Sequence, residues 1–84
     1  LQFRVAAGRD FSDTGRLLLN SLENYRSVEN LTVVVNPSAL VNQYQNANVE
    51  KFKGKSIRVK GKISLYRGQK QVVVDVAEQL EIVD

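Results

Sequence analysis

The stretch from Ile57 to Tyr66 constrains the fold of this chain more than any other. Ile57, Val59, Gly61, Ile63 and Leu65 alternate strictly with Arg58, Lys60, Lys62, Ser64 and Tyr66. A period of two places successive side chains on opposite faces of a pleated strand, so the pattern predicts a strand with one buried and one solvated face. Gly61, on the inward side, marks a place where the chain coils sharply or admits a neighbouring backbone. Tyr66-Arg67-Gly68-Gln69 reads as a hairpin turn, and the Val-rich segment Gln71 to Val76 as the returning strand.

Upstream, Phe3 to Ala7 reads as a first strand, and Gly8 to Gly15 as a turn-rich loop bounded by glycines. Arg16 to Asn20 and Leu31 to Val35 are the next strands, joined by the mostly polar loop Ser21 to Asn30. Asn36-Pro37 then reads as a helix start, with Asn as cap and Pro at the first helical position. Leu40, Val41 and Tyr44 would share one side of that helix, which Asn46 to Asn48 would end. The chain closes with Leu80 and Ile82 alternating with Glu81 and Val83, continuing the last strand after a jog near Ala77-Glu78. This order predicts an all-β chain with one short helix: a five-stranded Greek-key barrel of the OB-fold type, with its helix between strands three and four.

A chain of 84 residues suits one domain over 1–84. It buries only roughly 60–65 % of its unfolded surface, so most large apolar residues are needed inside. Phe3, Tyr44 and Phe52 are assigned to that core. There is no Cys and no His. Disulfides, thiolate nucleophiles, sulfur-ligated metals and His-based catalysis are thereby excluded, and no catalytic residue, metal or cofactor is assigned. No apolar run approaches the roughly 20 residues of a membrane span, so no membrane insertion is expected. The chain opens on Leu1 rather than Met, which leaves room for an upstream segment. Cytoplasmic and exported settings both stay open.

The net charge is +3, and its placement is uneven. Lys51, Lys53, Lys55, Arg58, Lys60, Lys62, Arg67 and Lys70 follow one another with no acidic residue between them. Elsewhere the acidic residues outnumber Arg4, Arg9, Arg16 and Arg26. Such asymmetry favours an anionic partner on one side.

Leu17-Leu18-Leu19-Asn20, Tyr25, Leu31 to Val35, and above all Phe52-Lys53-Gly54-Lys55 running into Val59-Lys60-Gly61-Lys62-Ile63 and Tyr66-Arg67-Gly68 with Gln71 to Val74, resemble bacterial OB-fold domains of the nucleic-acid-binding, tRNA-anticodon-binding-like group. The similarity covers nearly the whole chain. It implies an OB barrel and single-stranded DNA or RNA as the ligand, gripped at the second and third strands and at two loops. Those loops are here Arg9 to Arg16 and Tyr66 to Lys70.

Single-strand binders combine cations along the backbone with aromatic faces on which bases stack. Arg9, Arg16, Lys60, Lys62, Arg67 and Lys70 are the candidate cations, and Phe11, Tyr25 and Tyr66 the candidate platforms. Phe11 and Tyr25 could equally be lids that close the ends of a small barrel. The second and third strands present Leu18, Thr32, Val34 and Asn36 on their outward face, with no aromatic among them. Leu18 and Val34 there suggest a second function, a protein-interaction or oligomerisation module. Asp10 and Asp13 read as turn-capping carboxylates, not as an acid-base or metal pair. The expectation is a binding module and not an enzyme.

Overall fold

A computed structural model describes residues 1–84. The chain is mostly β, with eight short strands, two isolated 3-10 turns before its only α-helix and a third near the C-terminus. The strands are β1 (Gln2–Arg4), β2 (Ala7–Phe11), β3 (Arg16–Asn20), β4 (Leu31–Val35), β5 (Ser56–Val59), β6 (Ser64–Tyr66), β7 (Gln69–Val74) and β8 (Leu80–Ile82). Their ladders make two sheets, β1-β5-β8 and β2-β3-β4-β7-β6, in which β4 and β7 run parallel and all other pairs antiparallel.

Eight strands replace the expected five, and the ladders do not close into one barrel. Three interruptions cause this. At Val5-Ala6 the chain changes sheet: Val5 N–H bonds to Lys55 O and Ala6 N–H to Asn20 O. The first strand therefore ends early, and Gly8 to Phe11, expected as part of a loop, join Ala7 in β2; only Ser12 to Gly15 form the turn. The other two interruptions, at Lys60–Ile63 and Asp75–Gln79, share one device. The Gln79 side chain donates to Lys60 O (2.8 Å) and Val73 O (3.2 Å) and accepts from Asp75 N–H (2.8 Å) and Val76 N–H (3.1 Å). One amide thus satisfies backbone groups that strand pairing leaves free. Gly61 lies at this break, where a Cβ would stand 2.7 Å from Val72 Cγ1.

The expected helix from Pro37 is absent. Pro37–Ala39 and Asn42–Tyr44 are single 3-10 turns, and Asn36 caps neither with its side chain. Asn42 and Asn46 adopt positive φ (56° and 61°), which Asn tolerates and a helix does not. The α-helix is instead α1 (Val49–Phe52), begun by Asn48, whose side chain accepts from Glu50 N–H. It lies across β2 and β3. A Cβ on Gly8 would be 2.5 Å from Leu18 O and 2.7 Å from Val49 Cγ1, so only glycine permits this approach.

Leu17, Leu19, Leu31, Val33, Val35, Val72 and Val74 turn one face of the five-stranded sheet inward onto Val5, Val49, Phe52, Ile57 and Val59. Phe52 is fully buried and its ring lies 5.5 Å from that of Tyr44, with Phe3 packed at the margin. Ile63 and Leu65, expected inside with Ile57 and Val59, are exposed.

Candidate nucleic-acid interface

The outward face of the five-stranded sheet is built row by row from cross-strand partners. Arg9, Leu18, Val34 and Val73 form one row, and Asn20, Thr32, Gln71 and Ser64 the next. Phe11 and Arg16 pair at the far end. The central members of these rows floor an open cleft of about 660 Å³. Leu18, Val34 and Val73 form its apolar middle, Thr32 and Gln71 its polar flank, and Phe11, Tyr25 and Tyr66 its rim.

Each rim aromatic carries an arginine over its ring. Arg9 lies 4.9 Å from the Phe11 centroid, Arg26 5.5 Å from Tyr25 and Arg67 5.4 Å from Tyr66. Tyr25 is 55 % exposed and Tyr66 57 %, so both offer a ring face to solvent, whereas Phe11 is half-buried. Tyr25 and Tyr66 are therefore not lids on the core.

Local structure explains the placements. Arg67 and Gly68 both take positive φ (53° and 78°), and Tyr66 pairs with Gln69, which makes a two-residue hairpin whose twist suits its strands. Tyr25 and Arg26 sit on the Ser21 to Asn30 loop, which a buried amide holds together. Asn30 donates to Asn20 Oδ1 (3.1 Å), Thr32 Oγ1 (3.1 Å) and Tyr25 O (3.4 Å), and its own oxygen accepts from Leu22 N–H (3.0 Å). Gln69 fastens the loop to β7 by donating to Arg26 O (3.0 Å). Arg16 is also held: its Nε donates to Asn36 Oδ1 (3.0 Å), and Asn36 Nδ2 donates to Asp75 Oδ1 (2.7 Å).

Of the expected contact residues, Phe11, Arg16, Tyr25, Tyr66, Arg67 and Lys70 line the cleft, and Arg9 borders it through Phe11. Lys60 and Lys62 do not. Lys60 lines a separate depression, beside Arg58, Glu78 and Glu81, and Lys62 is in the exposed connection between β5 and β6. The basic run is thus divided among surfaces, because the chain changes sheet within it. Four cations, Arg16, Arg26, Arg67 and Lys70, line the cleft against one carboxylate, Asp13. Arg26, Gln69 and Gln71 escaped the sequence analysis; Arg26 adjoins Tyr25, and that adjacency was the available signal.

Leu18 and Val34, the positions for protein pairing, lie half-buried in the cleft floor. Asp10 does cap a backbone group, but that of another element: its Oδ1 accepts from Val49 N–H (3.0 Å) and ties α1 to β2. Tyr44, in the core, donates its hydroxyl to Leu80 O (2.6 Å), and burial pushes its pKa above the ordinary 10.0. No helix is long and apolar enough to cross a membrane. Comparison with protein-family models, with curated proteins and with solved structures finds no match to this chain.

Proposed function

We propose that this chain is a binding module, without catalysis of its own, that takes single-stranded nucleic acid along the cleft of the five-stranded sheet. The observation that carries the proposal is the rim: three aromatic rings, each beside an arginine, around a cleft whose charged lining is four cations to one carboxylate. Bases stack on aromatic faces regardless of sequence, and cations along the path neutralise phosphates. Leu18 and Val34 on a recessed floor favour a ligand that enters a groove over the flat pairing of two protein faces.

The same proposal extends to the fold. The eight strands are the five interrupted strands of an OB-fold, joined as β1 with β2, β5 with β6 and β7 with β8. The ladder order supports this: β2 to β3 to β4 to β7 to β6, then along the chain to β5 and back to β1. The parallel pairing of β4 with β7 supports it as well. The cleft then falls on the second and third strands, where such barrels hold oligonucleotides.

Fluorescence anisotropy with a labelled single-stranded oligonucleotide tests the proposal. Weak binding that falls steeply between low and physiological salt is expected. Tyr66→Ala should cost roughly 1–3 kcal/mol of binding with little change in melting temperature, and Arg67→Ala should chiefly flatten the salt slope. Absence of binding at low salt would overturn the proposal.

A further inference from the structure

The two halves of the Ile57 to Tyr66 run have different neighbours. β5 is flanked by β1 on one side and β8 on the other, whereas β6 has β7 on one side and no strand on the other. Tyr66 pairs with Gln69 across a two-residue turn, which makes them a hydrogen-bonded pair. By the antiparallel alternation, Leu65 then directs its N–H and C=O away from β7. Outside the ladders, no backbone hydrogen bond reaches residues 61–66.

This edge is a strand of three residues with no Pro and no bulge, flanked by Lys62 and Arg67. Proteins blunt exposed edges with Pro, with bulges or with charges, because a row of free N–H and C=O groups templates another strand. Here Ile63 is 49 % exposed and Leu65 72 %. Lys62 is exposed just before β6, and Arg67 follows at the turn. Neither cation is paired, since the ion pairs of the chain are Arg4–Asp84 and Arg58–Glu81.

We infer that the open edge of β6 accepts an added strand from another protein, an extended segment in which apolar residues alternate with acidic ones. Its apolar side chains cover Ile63 and Leu65, its carboxylates meet Lys62 and Arg67 at the two ends of β6, and its backbone pairs with Leu65. The molecule contains the same arrangement once already. β8 is such a segment, Leu80-Glu81-Ile82, lying against β5 with Glu81 on Arg58 at 3.0 Å and with Leu80 buried. Pairing of two β6 edges is disfavoured, because antiparallel alignment brings Lys62 of one copy near Arg67 of the other.

The test uses fluorescein-labelled peptides of alternating Val and Glu, with alternating Val and Lys as control, followed by anisotropy and by amide chemical shifts. The acidic peptide should bind, the basic one should not, and the Ile63 and Leu65 amides should shift. Leu65→Pro removes the outward N–H without touching a bond to β7, and should weaken peptide binding by about tenfold or more while oligonucleotide binding persists. Lys62→Glu, at an exposed position, should weaken the peptide severalfold and guards against misfolding of the proline variant. Equal binding of both peptides, insensitivity to both substitutions, or shifts confined to Val34, Gln71 and Val73 in the cleft would overturn the inference. So would concentration-dependent self-association that Leu65→Pro abolishes, which would assign the edge to a second copy.

Discussion

Ile57 and Val59 on β5, and Ile63 and Leu65 a few residues later, follow one alternating pattern in the sequence. The first pair is enclosed beneath the five-stranded sheet, and the second stands in solvent. What differs is the layer opposite. β5 lies between β1 and β8 and faces Phe52 and the inward valines, whereas β6 forms the last strand of its sheet, beyond which the core layer ends. Alternation therefore specifies which side of a strand is apolar, and the surrounding layers decide whether that side is buried.

The widest test of this difference is a pair of truncations. Ile57→Ala should cost about 2–5 kcal/mol by removing packed methyl groups, whereas Leu65→Ala should stay within about 0.5 kcal/mol. In a domain of this size each kcal/mol shifts melting by roughly 4–8 °C, so two thermal melts separate the halves clearly. Comparable losses at both positions would mean that β6 is covered.

A second experiment contrasts the cleft face with the core face at the Asn30 network. Asn30→Ala removes the partners of Leu22 N–H and Tyr25 O and should cost about 1–3 kcal/mol, below the loss at Ile57. Because the same amide holds the loop bearing Tyr25 and Arg26, protease nicking between residues 21 and 30 should rise and oligonucleotide affinity fall with it. Stability lost without change in the loop would separate the two roles.

The smallest effect should come from the core at Tyr44. Tyr44→Phe deletes the bond to Leu80 O and should cost about 1 kcal/mol at neutral pH. Its pH dependence is more informative. Burial raises the pKa of Tyr44 in the folded protein, so its stabilising contribution is complete below the unfolded value of about 10 and is lost as pH climbs from there through the folded value. Wild type and the Phe variant should therefore converge in stability above pH of about 10 when urea midpoints are compared. A constant gap would show that Tyr44 ionises as readily when folded.

Much of this was legible beforehand. Short continuous runs of Leu and Val identified β3, β4 and the outward set Leu18, Thr32, Val34 and Asn36, and the Arg67-Gly68 turn was readable from its glycine. The helix from Pro37 was misjudged because local capping signals are weak beside two Asn residues in left-handed conformation. The basic run suggested one patch, yet the chain turns within it, and Lys60 and Lys62 leave the cleft that Arg67 and Lys70 line.

The sequence by itself determined the β character of the chain, the sides of most strands, the main hairpin and the aromatic and arginine residues from which a rim could be made. These follow from near-neighbour geometry, in which periodicity and backbone preference act over a few residues. Tertiary structure alone decided that five strands become eight, that Gln79 caps two breaks far apart in sequence, and that Phe11, Tyr25 and Tyr66 surround one cleft. Those outcomes depend on backbone groups finding partners across the fold, such as Gln79 with Lys60 and Asp10 with Val49, and no local pattern encodes such partners.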